Sequence, residues 1–209
     1  MPSIRNTSAR LTFAPLTPER WPDLEQLFGP NGACGGCWCM WWKLSRAEFA
    51  RRKGADNRRS FKRIVMAGAE PGLIAYRDGV PIGWCAVEPR ERYEALARSR
   101  SLAPVDDKAV WSVTCFFVRA GQRRTGVGLA LLKEARRFVA ARGGRIVEGY
   151  PKDPRGQFPG TTSAFMGLAS TFTAAGFSEV ARRSPTRPIM RSVVRSRSGR
   201  SQIEPGEVS

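Results

Sequence analysis

The chain has 209 residues, enough for one domain with a substantial core, and its 42% apolar content is ordinary for a folded protein. Lysine and arginine number 35 against 18 aspartates and glutamates, a formal charge of +17 that turns attention to anionic partners. Histidine is absent, which excludes every mechanism that needs an imidazole, from Ser-His and Cys-His nucleophiles to histidine-ligated zinc.

No apolar run is long enough to cross a bilayer, and the start "MPSIRNTSAR" lacks the apolar stretch of a secretory signal. No membrane association and a cytoplasmic location are therefore expected. The five cysteines, an odd number, argue against a disulfide framework.

In chain order, Arg10–Leu16 reads as a first strand. "TPERWPDLEQLFG" follows as a helix, with Thr17 as N-cap, Pro18 at the first helical position and Gly29 at the end. A loop rich in Gly, Cys and Trp, "PNGACGGCWCMWWK", comes next. "SRAEFARRK" opens on a capping-box pattern, Ser45 to Glu48, and "RRSFKRIVMAG" continues as helix. "GLIAYRDGVPIGWCAVEP" is a hairpin, two apolar runs around Asp78-Gly79. "DKAVWSVTCFFV" is apolar on both faces and belongs in the centre of its sheet. "GVGLALLKEARRFVAARGG" is amphipathic, with Leu131, Leu132, Ala135, Phe138 and Val139 on one side. "RIVEGY" is a strand, "TTSAFMGLASTFTAAG" a helix ending at Gly176, and "FSEVARR" and "RPIMRSVV" are two last strands. The domain spans residues 11–194. Residues 195–209 carry no apolar periodicity and read as a basic, disordered tail.

One junction carries chemistry. Between the central strand and the amphipathic helix stand Gln122, Arg123, Arg124, Thr125, Gly126, Val127 and Gly128. Glycines let backbone amides approach an anion, and a helix start adds free N–H donors and the positive end of a dipole. Physics alone reads this as a pyrophosphate-binding turn. Gly121 and Gly126 have P-loop spacing, but Val127-Gly128 stands where Lys-Ser/Thr belongs. A dinucleotide fingerprint starting at Gly126 would need Gly or Ala where Leu131 sits.

The segment Arg123-Arg124-Thr125-Gly126-Val127-Gly128 resembles the acetyl-CoA signature of the GNAT superfamily of N-acetyltransferases, Gln/Arg-x-x-Gly-x-Gly/Ala. The element order over Leu11 to Val194 is similar to that family's, and "STFTAAGFSEVAR" resembles its late helix ending in Gly-Phe. The resemblance implies an α/β (α+β) fold: a mixed, mostly antiparallel sheet flanked by helices, its fourth and fifth strands splayed into an acetyl-CoA wedge. It implies pyrophosphate contacts from Arg123, Arg124, Thr125, Gly126, Val127 and Gly128. It also implies pantetheine pairing with the main chain near Phe117 and Val118.

Acetyl transfer to an amine needs a neutral nucleophile, oxyanion stabilisation and an exit for the thiolate. Alignment on Gly176-Phe177 puts Phe172 where the family often carries a proton-donating tyrosine. The central strand offers only Ser112, Thr114 and Cys115 as polar groups. Glu148 or Glu88 is therefore the candidate base and Tyr150 the candidate donor, with Glu148 pairing with an arginine such as Arg145 or Arg182 as the structural alternative.

Cys34, Cys37 and Cys39 suggest half a zinc knuckle, but no second pair and no histidine complete it, so no metal is expected. A redox switch and a packed loop stay open. By its place in the family, this loop covers the acceptor side, with Trp38, Trp41 and Trp42 lining an amine pocket and Gly35-Gly36 giving mobility. The arginine-rich C-terminus has no aromatics, so a solvated face is expected in preference to nucleic-acid binding. The expected activity is direct acetyl transfer to a primary amine of a small molecule or peptide. The rival keeps the fold without catalysis, as a CoA-sensing or nucleic-acid-associated module. The sequence leaves the oligomeric state open, a dimer included.

Overall fold

A computed structural model describes residues 10–154 and 165–195. One seven-stranded sheet organises them, in the order β1-β2-β3-β4-β5-β7-β6. The strands are β1 Leu11–Pro15, β2 Gly72–Arg77, β3 Val80–Pro89, β4 Trp111–Val118, β5 Ile146–Gly149, β6 Ser178–Arg182 and β7 Pro188–Val193. Only β4 and β5 pair in parallel; the other pairs are antiparallel.

The helices are α1 Trp21–Phe28, α2 Arg46–Arg51, α3 Ala55–Met66, α4 Glu94–Ala97, α5 Val127–Ala141 and α6 Ala169–Ala174. The expected apolar side of α5, Leu131 to Val139, packs with Leu73, Val87, Val113, Val147 and Phe172 on one face of the sheet. Helices α1 and α3 cover the other face through Trp21, Leu24, Phe61 and Val65, against Ile74 and Trp84. A third cluster of Trp42, Tyr93, Leu96, Leu102, Tyr150, Met166 and Ile189 sits at the end of β5.

Local signals explain several boundaries. The Ser45 hydroxyl accepts from the Glu48 amide and the Glu48 carboxylate accepts from the Ser45 amide, the reciprocal cap that starts α2. The β2–β3 turn has positive φ at both Asp78 (51°) and Gly79 (79°), as a primed turn requires.

Three expectations are corrected. Thr17 is extended and makes no side-chain cap; Pro18–Arg20 form a 3₁₀ turn before α1. The late helix is confined to Ala169–Ala174. Residues 161–164 lie outside the described residues, and Gly167, at φ 83°, breaks the helix while its carbonyl accepts from Lys152. The third is that residues 90–106, which the sequence leaves unassigned, hold short turns and α4 and bury Tyr93, Leu96 and Leu102, and the strand expected from Asp107 starts at Trp111. The expected disordered tail, from 196 onward, lies outside the described residues. Among those residues no helix is long and apolar enough to cross a membrane.

Candidate active site

The parallel pairing of β4 with β5 stops after Val113 and Gly149. At that point β4 bulges: Ala86 faces Cys115 and Val87 faces Val113, leaving Thr114 unopposed. Beyond the bulge the two strands part. Along this stretch the Arg119 amide donates to Ile82 in β3 at 2.9 Å, while the Phe116 amide donates away from β3, to the Phe165 carbonyl. Alternation then turns the main chain of Phe117 toward β3, and those of Phe116 and Val118 toward the gap. Of the expected pair Phe117 and Val118, Val118 faces the gap and Phe117 faces β3. The Val118 carbonyl accepts from Arg123 Nε at 3.0 Å. Both gap-facing positions therefore hold bonds within the chain, which a pantetheine pairing with β4 would replace.

The turn that follows is sharply bent. The Thr125 hydroxyl donates to the Gln122 carbonyl at 2.8 Å, and Arg124 (φ 63°) and Gly126 (φ 83°) are both left-handed. A left-handed arginine is strained, and strain of this kind gathers at ligand sites. The amides of Arg124 through Leu129 donate to no described backbone or side-chain acceptor. They lie at the start of the fifteen-residue α5, where its dipole is positive. A Cβ added to Gly126 or Gly128 meets no atom within 4 Å. Packing gives no reason for Gly128, whose backbone is helical; space for a ligand does. These residues fit a pyrophosphate.

The structure separates the candidate carboxylates. Glu148 is fully buried, and its oxygens accept from Arg90 (2.9 Å), Tyr150 (2.6 Å) and Arg191 (2.7 Å). The arginines differ from those the sequence suggested. Tyr150 also meets Ser112 at 2.8 Å; burial first, then the Glu148 charge, push its phenol far above its ordinary value. This is a closed, fully paired network.

Glu88 pairs instead with Lys43, the side chains 8% and 7% exposed. The ammonium lies 4.8 Å from the ring centroid of Tyr93. Tyr93 is buried and its hydroxyl makes no hydrogen bond to a described residue, with Thr114 nearby. Burial, then the Glu88 charge, hold the phenol protonated well above its usual range. Sequence reasoning missed Tyr93, Lys43 and Arg90. The one available signal was the spacing of Tyr93 and Leu96 over a single helical turn.

Phe172 is fully buried against Phe116 and Phe177, with ring centroids at 6.1 and 5.0 Å. Of the tryptophans, Trp38 belongs to the core, stacked on Trp21 at 6.0 Å. Trp41 and Trp42 face the third cluster, and Trp42 Nε1 is buried without a partner among the described residues. The expected mobility at Gly35-Gly36 meets a correction: the Gly36 carbonyl accepts from the Gly54 amide and Asn57 Nδ2, and a Cβ on Gly36 would lie 2.6 Å from Gly54 N. Cys39 is buried and accepts from Trp84 Nε1 at 3.0 Å, Cys37 donates to the Gly32 carbonyl, and Cys34 is exposed. A surface cavity of about 480 Å³ is lined by Pro89 at the end of β3, Trp111 at the start of β4, and Gly143.

The model of the GNAT acetyltransferase family matches residues 38–150. Among solved structures, a GNAT-family protein from Desulfovibrio desulfuricans has a TM-score of 0.51 at 17% identity, covering 88% of this chain and 99% of that one. A GNAT-family acetyltransferase from Streptococcus pneumoniae has a TM-score of 0.50 at 13% identity, with the same coverage. The PaiA N-acetyltransferase from Thermoplasma acidophilum, in complex with coenzyme A, also has a TM-score of 0.50 at 13% identity, again with 88% and 99% covered. At these identities the likeness is one of fold. No curated protein matches the sequence. The family match takes in more than half of the chain and includes the bulged strand, the glycine turn and both candidate carboxylates, and the chain belongs to the GNAT family of acetyltransferases.

Proposed function

We propose that this protein moves the acetyl group of acetyl-CoA directly to a primary amine. The observation that carries the reading is the run of unpaired amides from Arg124 to Leu129 around two glycines with open space over their α-carbons. Acetyl-CoA, bound there by its pyrophosphate, supplies the activated acyl carbon.

The chain's own residues then divide the work. Glu88, at the end of β3 beside Lys43, accepts the proton that leaves the amine as the C–N bond forms, directly or through a water. Tyr93 donates its unpartnered hydroxyl to the negative charge that develops as the C–S bond breaks. Its raised pKa suits a hydrogen-bond donor that keeps its proton; the departing thiolate takes one from solvent. Glu148, Arg90 and Tyr150 position the end of β5 and touch no reacting atom in this scheme.

The test is release of free thiol from acetyl-CoA over a panel of primary amines. Turnover with at least one amine is expected, reduced about tenfold or more in Glu88→Gln and Tyr93→Phe. Calorimetric binding of CoA with no thiol release for any amine would replace the reading with that of a CoA-binding module.

A further inference from the structure

Three cations, Arg46, Lys152 and Arg187, belong to segments that meet at one apolar cluster. Arg46 lays its guanidinium over Trp41, 3.5 Å from the ring centroid, and 5.2 Å from that of Trp42. Among the described residues, its one hydrogen bond goes to the Trp41 carbonyl at 3.1 Å. Lys152 follows β5, its main chain bonded to Gly167 and Ala169. The Asp153 amide donates to the Thr186 carbonyl at 2.9 Å, which draws the β6–β7 turn, and with it Arg187, against the end of β5. Trp42, Tyr150 and Ile189, close in sequence to the three cations, share one apolar cluster.

None of the three forms an ion pair with a described residue. The neighbouring acid, Asp153, is taken by Arg182 at 2.8 Å, and Glu179 lies on the same guanidinium at 2.6 Å. Residues 155–164 bring Arg155 and no acid to the sequence here. Burial loosens the proton of Arg187, helped by the charge of Arg46; burial does the same at Lys152, helped by Arg187. Elsewhere this chain matches its buried charges, Glu148 with Arg90 and Arg191, and Lys43 with Glu88. Lys152 and Arg187 are partly buried while Arg46 is exposed, and partly buried cations without a counterion cost stability that a bound anion relieves.

We infer that the acceptor amine carries an oxyanion, a carboxylate or a phosphate, which Arg46, Lys152 and Arg187 hold beside the Trp41–Trp42 wall. The inference rests on the acetyl-transfer reading and names the substrate class of that site. Guanidinium is suited to either oxyanion, because its fork matches both.

The experiment compares the common amino acids, their uncharged amides, and 2-aminoethylphosphonate as acceptors, in wild type, Arg187→Gln and Lys152→Gln. Thermal stabilisation by the same compounds is measured in parallel. Anionic acceptors should be preferred over amides by about tenfold or more, through KM, and each variant should erase that preference without moving KM for acetyl-CoA. Because neither residue has an ion-pair partner, both variants should fold as stably as wild type. Equal use of acids and amides, or a preference that survives both substitutions, overturns the inference and leaves acetyl transfer standing. Acids that stabilise wild type but not Arg187→Gln, with no thiol released, support the anion site and overturn the transfer reading. Carboxylate against phosphonate, in the same panel, identifies which oxyanion is preferred.

Discussion

Replacing Gly128 by valine separates binding from folding, because the two should respond differently. Gly128 lies in the first turn of α5 with helical backbone, and nothing stands within 4 Å of a Cβ placed on it. Valine suits a helix better than glycine by about 0.4 kcal/mol, so stability should hold or rise slightly, with Tm moving by about 1 °C. The signature admits alanine at this position, so one carbon fits; the branched methyls of valine stand where phosphate oxygens would approach the turn's amides. Losing two charge-assisted hydrogen bonds, at about 1.5–3 kcal/mol each, raises the Kd for CoA about a hundredfold or more. Calorimetric titration with CoA and thermal unfolding on one preparation read both quantities. A folded Gly128→Val protein that binds CoA as tightly as wild type refutes the amide cradle. Gly126 cannot serve for this test: its φ of 83° strains any side chain, so a loss there mixes folding with binding.

Glu148→Gln leaves Arg90 and Arg191 inside without their countercharge and should cost about 3–5 kcal/mol, lowering Tm by roughly 6–20 °C; a loss under about 1 kcal/mol would show that the pairs contribute little. Cys37 is pushed up to about 11, chiefly by burial, so near pH 8 its thiolate fraction is about a hundredfold below that of a thiol at its ordinary value. Iodoacetamide at pH 8 followed by mass spectrometry should therefore mark exposed Cys34 long before Cys37. The sign of the linkage is that of a raised group, with stability intact below the ordinary thiol value and lost as pH climbs toward 11. Phe172→Tyr, which restores the residue the family often has, should destabilise by about 1–3 kcal/mol and leave turnover no higher, since the ring already abuts Gly149 and Gly167; a stable variant with faster thiol release would contradict this.

Periodic segments were legible because their signals are local. The α5 stripe, the Ser45 capping box and the Asp78-Gly79 turn each depend on residues a few positions apart. The glycine turn was legible for the same reason, since a strand, a bend and a helix start are contiguous. The acceptor side was not. Glu88, Lys43 and Tyr93 meet from β3, the loop before α2 and the turn before α4, and only tertiary packing places them together. Arg90 and Arg191 reach Glu148 across 58 and 43 positions, so no sequence window contains the pairing. The helix expected over Thr161–Gly176 failed at Phe165–Leu168 because hydrogen bonds to β4 and to the end of β5 outcompete local propensity there.

The apolar ring at Phe172 and the unpaired hydroxyl at Tyr93 are two parts of one arrangement. A Cβ on Gly149 would lie 2.1 Å from Phe172 Cε1, and one on Gly167 would lie 2.9 Å from Cε2, so the ring fills the space beside β5. A hydroxyl added there without an acceptor would cost about 1–3 kcal/mol. The chain carries that same cost across β4, where Tyr93 sits beside Lys43 and Glu88. The hydroxyl makes no hydrogen bond to a described residue, so Tyr93→Phe should keep or raise stability by about 1 kcal/mol. If the hydroxyl serves the transition state, the same substitution slows turnover while leaving the KM for acetyl-CoA in place. A single substitution that raises Tm and lowers kcat distinguishes a hydroxyl held for chemistry from one that is merely tolerated; a rise in Tm with kcat unchanged would return the donor role to another group.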